Sequence, residues 1–177
     1  MAFTRGKMSK INDPDHEGRI AANDNARLNA FEELNQEVFG DKFSELRTVV
    51  ANKTTAMPKA ETDRLFLALI GINYNYDADA LSWDIRKEKL GAMLPKQHKS
   101  RDKLLEDAQK MHVLNHAARL YEDTLGENSE NKEKAPQARE YLLTRIKSYG
   151  NEFQANRIVE QFEAQIEQQK AAGLELE

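Results

Sequence analysis

The sequence predicts an all-α fold: a single-domain bundle of about six or seven helices behind a flexible N-terminal arm. Three observations predict it. Helix breakers are scarce, with 8 glycines and 4 prolines in 177 residues. Ala, Leu, Glu, Lys and Gln, which lose little entropy in a helix, are plentiful. Apolar residues recur at spacings of three and four along most of the chain. The length suits one domain with a core large enough to stand without covalent staples.

The elements follow in order. Residues 1–16 hold few apolar anchors and an Asp-Pro step, and are expected to be a flexible arm. A helical domain is expected over 17–172, with a frayed end over 173–177. In the first helix Ile20, Leu28, Phe31, Leu34 and Val38 share a face. Its start is placed near Asn25, because AANDNA forms helix poorly, and Gly40 suits a left-handed end. Asp41 is a candidate cap for a second helix with the stripe Phe43, Leu46, Val50 and Met57. Pro58 suits the first turn of a third helix. That helix contains RLFLALIGI, apolar on every side, which reads as the central buried helix, with a short buried strand as the alternative.

The polar stretch NYNYDAD reads as a turn, followed by a helix over about 80–93 with Asp79 or Ser82 as cap. Trp83, Ile85, Leu90 and Leu94 give that helix no clean face. Ser100 is expected to cap a long helix reaching Leu125 and closed by Gly126. Leu104, Ala108, Met111, Leu114, Ala118, Tyr121 and Leu125 line one side of it. Val113, Ala117 and Leu120 lie roughly opposite, so this helix too is expected at the centre. After the polar linker ENSENKEKA, Pro136 opens a helix carrying Tyr141, Leu142 and Ile146. Asn151 is the expected cap of the last helix. There Ala155, Val159, Phe162 and Ile166 repeat at four, three and four, a narrow seam of coiled-coil type. The first and last helices are expected on the outside.

Several chemistries are excluded. With no cysteine there are no disulfides, thiolate metal sites or cysteine nucleophiles. No glycine-rich phosphate loop, G-x-S-x-G elbow or EF-hand loop occurs. The polar start MAFTRGKMSKINDPDH predicts no secretory leader. The longest apolar run, LFLALIGI, is too short to span a membrane. The expected location is the cytoplasm, or a virion if the source is viral, and no cofactor is expected. A net charge of −4 argues against a general nucleic-acid coat.

Three groups of residues remain as candidate sites. The stretch MHVLNHAARLYED sets His112, His116, Arg119 and Asp123 in a strip along the long helix. Two histidines four apart can hold a metal ion, with Asp123 as a further ligand or orienting partner. The metalloprotease pattern fails, because Val113 stands where its glutamate belongs. The simpler interpretation is an Arg119–Asp123 pair beside two half-buried histidines.

The second group is basic: Arg86, Lys87, Lys89, Lys96, His98, Lys99, Arg101 and Lys103, around the start of the long helix. Free N–H groups and the helix dipole favour an anion there. The third group is a protein interface made of Tyr74, Tyr76 and Trp83, as exposed aromatics, and of the seam Ala155, Val159, Phe162 and Ile166. The N-terminal DPDHE is better explained as a turn and an acidic helix start than as a metal site.

The leading expectation is therefore a non-catalytic binding or assembly protein, acting through protein–protein contacts or self-association. Its style is similar to that of phage and plasmid accessory proteins. The alternative is a nucleic-acid-binding accessory factor using residues 86–103. A third is a small metal- or histidine-dependent hydrolase or nuclease.

Overall fold

The computed structural model describes residues 14–72, 83–96, 100–126 and 129–176. Among them are seven α-helices: α1 (Pro14–Phe39), α2 (Asp41–Lys53), α3 (Lys59–Leu69), α4 (Trp83–Met93), α5 (Arg101–Glu122), α6 (Ala135–Ser148) and α7 (Ala155–Leu176), with a 3₁₀ turn at Lys132–Lys134. No strand occurs among the described residues, and none of their helices is long and apolar enough to cross a membrane. The fold is the predicted all-α bundle.

Four long helices make the frame. Arg27 pairs with Glu122 and Asn35 with Asn115, which sets α1 antiparallel to α5. Arg157 meets Glu37, Gln161 meets Glu33 and Phe31 meets Phe162, which sets α1 antiparallel to α7. The α5–α6 hairpin and the α6–α7 contact close the ring. The short helices α2, α3 and α4 lie against one another and against α1 and α5. One contiguous core results, built around Phe31, Phe43, Phe66, Met111, Leu114 and Phe162.

Local chemistry explains the boundaries. Phe43, Leu46 and Val50, at spacings of three and four, are the buried face of α2. Helix α3 ends in a Schellman motif: Ile72 N–H donates to Leu67 C=O (2.8 Å) and Gly71 N–H to Ala68 C=O (3.1 Å). Gly71 has φ +86°, and a Cβ there would stand 3.2 Å from Cδ2 of His112. Backbone conformation and close approach to α5 both demand glycine at that position.

Several expectations are corrected. Helix α1 begins at Pro14 rather than near Asn25, and residues 1–13 of the expected arm lie outside the described residues. Met57 lies past the end of α2 and is exposed. Pro58 precedes α3, with ψ 145°, instead of sitting in its first turn. The long helix ends at Glu122, although Leu125 is still buried. Its second apolar side is partial: Ala117 is buried, Val113 half-buried and Leu120 exposed. Asn151 does not cap α7, which starts at Ala155; its side chain instead donates to Val38 C=O at 3.0 Å. The first and last helices are not peripheral. Their facing residues Phe31, Leu34, Ile158 and Phe162 are core.

Candidate functional site

Helix α4 presents Arg86, Leu90 and, just beyond it, Leu94 to the core, with Trp83 packed against it. Arg86 is only 3 % exposed. Its Nη1 donates to Nε2 of His112 across 2.5 Å, and the His112 ring lies 5.5 Å from that of Trp83. A guanidinium has no acceptor, so His112 Nε2 must offer its lone pair and the ring proton sits on Nδ1. Burial, then the charges of Arg86 and Arg119, lower the His112 pKa to about 4. His116 is exposed, and its pKa is lowered by partial burial and then by Arg119.

This geometry bears on the metal interpretation of His112, His116 and Asp123. Arg86 occupies Nε2 of His112, which leaves only the protonated Nδ1. Asp123 lies eleven residues beyond His112, about 16 Å along a helix at 1.5 Å per residue. The three side chains therefore do not converge. Among the described residues no group of three or more His, Asp or Glu side chains is placed to hold a metal ion. The row combines a neutral histidine held by arginine with an exposed neighbour one turn away.

The basic segment divides. Arg86 points inward to His112. Arg101 Nη1 donates to Leu94 C=O at 2.8 Å, tying the start of α5 to the end of α4. Lys103 is 3.5 Å from the buried Asp107. Lys87, Lys89 and Lys96 are exposed and form no ion pair with another described residue. His98 and Lys99 lie outside the described residues, as do Tyr74 and Tyr76.

The seam of α7 is closed. Ala155, Val159, Phe162 and Ile166 are all buried, and Phe162 meets Phe31 edge-on at 5.2 Å between ring centroids. Ile158 is buried as well, which widens the stripe to that of an ordinary bundle helix. These residues hold α7 to α1 and present no face to a partner.

No protein-family model matches the chain, and neither does any curated protein or solved structure.

Two surface features were not singled out from sequence. The first is an open cleft of about 310 Å³ between the end of α5 and the start of α6. Leu120, Ala138 and Tyr141 supply its apolar lining, and Asp123, Asn131, Lys134 and Gln137 its polar lining, with Thr124 between them. Leu120 is 42 % exposed. Arg145 lies over the Tyr141 ring at 5.4 Å from its centroid. Behind the cleft Tyr121 donates to Glu163, which also accepts from Arg139 Nε at 3.3 Å. Burial, then the Glu163 carboxylate, push the Tyr121 pKa up, so its hydroxyl stays a donor. The second feature is Phe153, wholly exposed in the turn between α6 and α7. The Leu120 signal was present in the sequence as an apolar residue opposite the main stripe of α5, but it reads equally well as core. Nothing in the sequence sets Phe153 apart from the buried phenylalanines.

Proposed function

We propose that the chain is a non-catalytic binding or assembly protein that receives an apolar side chain of its partner in the α5–α6 cleft. The observation that carries this reading is the exposed Leu120 beside Ala138 and Tyr141, with charged and amide groups around them. An apolar recess with a polar rim is the arrangement in which a few buried contacts supply most of the energy of a protein interface. The narrow seam of α7 is not the docking element, because α1 already covers it.

A photo-crosslinking residue at Gln137, on the cleft, tests this in the native cells, with Glu160 on the outer face of α7 as control. The expected result is a discrete adduct from position 137 that Leu120→Glu removes while the melting temperature stays put. An adduct pattern shared by both positions, or unaffected by Leu120→Glu, overturns it.

A second reading is supported by Lys87, Lys89 and Lys96, exposed on α4 and just after it. They would position a nucleic-acid backbone without reading bases. Retardation of duplex or single-stranded nucleic acid that weakens steeply with salt, and that alanine at all three positions reduces evenly across sequences, would support it. Retardation unchanged by those substitutions would remove the segment from consideration.

A further inference from the structure

We propose that the occupant of the cleft is Phe153 of a second copy of this chain, giving head-to-tail self-assembly. This rests on the reading of the cleft as a docking recess. The other phenylalanines among the described residues, Phe31, Phe39, Phe43, Phe66 and Phe162, are buried, whereas Phe153 is 100 % exposed. It is presented on a braced turn. Gln154 N–H donates to Asn151 C=O at 3.2 Å, and the Asn151 side chain is bonded to Val38 C=O at 3.0 Å. An aromatic side chain on a braced backbone has only two side-chain torsions to fix on docking, which is what makes such residues anchors.

Phe153 cannot reach its own cleft. The cleft sits on the first turns of α6 and Phe153 follows its last turn, so roughly 15 Å of helix separates them. The recess of about 310 Å³ admits a phenyl ring onto Leu120, Ala138 and Tyr141. The cleft lining carries both charges, Lys134 and Asp123, and Glu152, exposed beside Phe153, has Lys134 as its pairing partner there. Because knob and recess are different surfaces, the contact is heterologous and propagates as a chain or closes as a ring. One ring in one recess makes it weak and strongly concentration-dependent.

Sedimentation of the intact chain, from micromolar to millimolar concentration, tests this with two surface variants, Phe153→Ser and Leu120→Glu. The wild-type mass should climb past that of a dimer, while each variant alone remains monomeric with an unchanged melting temperature. An equal mixture should form dimers and stop there, because Leu120→Glu still offers its phenylalanine and Phe153→Ser still offers its cleft. A wild type that stays monomeric, variants that still associate, or a folded mixture that does not recover dimers each overturns the proposal. A monomeric wild type that nevertheless crosslinks a different protein at Gln137 refutes self-assembly and leaves the cleft reading standing.

Discussion

Arg86 Nη1 on α4 donates a hydrogen bond to Nε2 of His112 on α5, 2.5 Å away, inside the bundle. The bond fixes a neutral imidazole between two helices. It also makes stability depend on pH. The folded-state pKa of His112 is about 4, against 6.5 for the free side chain. Between those values the unfolded chain binds a proton that the folded chain refuses. The stabilisation is therefore complete above about pH 6.5 and is lost as the pH falls toward 4. At 1.36 kcal/mol per unit the upper bound is roughly 3 kcal/mol, and solvent screening of this half-buried ring makes the loss smaller. His112→Gln, which keeps an acceptor for Arg86 and cannot titrate, should flatten this slope in urea melts taken at neutral and mildly acidic pH. The same substitution at the exposed His116 should change the slope less.

Asn35 and Asn115 form a second buried polar link. Asn35 Nδ2 donates to Phe31 C=O at 2.7 Å and to Asn115 Oδ1 at 2.8 Å. Asn115 Nδ2 donates to Ile70 C=O at 2.8 Å and, at 3.3 Å, to Asn35 Oδ1. Asn115→Leu should cost about 2–3 kcal/mol by leaving one N–H and the Oδ1 of Asn35, and the Ile70 carbonyl, without partners. Replacing both asparagines by leucine should cost less than the sum of the single changes, with a coupling of about 1–2 kcal/mol in a double-mutant cycle.

Phe162→Ala should destabilise the monomer by about 3–5 kcal/mol, because it empties a site in contact with Phe31. Phe162→Glu should abolish the cooperative thermal transition followed by circular dichroism. A folded Phe162→Glu protein of lower oligomeric mass would instead return the α7 seam to the role of an interface.

Lys170 closes the end of α5 from a different helix. Its Nζ donates to Glu122 C=O at 2.8 Å and to Leu125 C=O at 2.7 Å. A cation among the carbonyls at a helix C-terminus opposes the negative end of the dipole. Lys170→Met should cost about 1–2 kcal/mol. Hydrogen exchange should speed up first in the last turn of α5, with the first turn of that helix protected as before.

Helical periodicity made much of this architecture legible. Phe43, Leu46 and Val50 are buried at the spacing read from sequence, as are Leu104, Ala108, Met111 and Leu114. Local composition was less informative at the ends: the apolar run after Leu69 hid the Schellman turn at Gly71, and AANDNA did not keep α1 from extending back to Pro14. Arg86 was misjudged because a basic residue in a basic run looks solvent-facing, and its partner is 26 positions away. The seam was misjudged because four residues at heptad spacing look the same whether a second chain or helix α1 covers them. The cleft was invisible because it arises only where the ends of two helices meet.

The pairing of α1 with α7 also orders folding during synthesis. Phe31 and Leu34 leave the ribosome well before the helix that covers them. Until α7 is complete, an apolar strip of α1 has no lid, because its contacts with α7 span over a hundred residues. A ribosome stalled before Ala155 would hold a sticky, open bundle, the kind of species that holdase chaperones recognise.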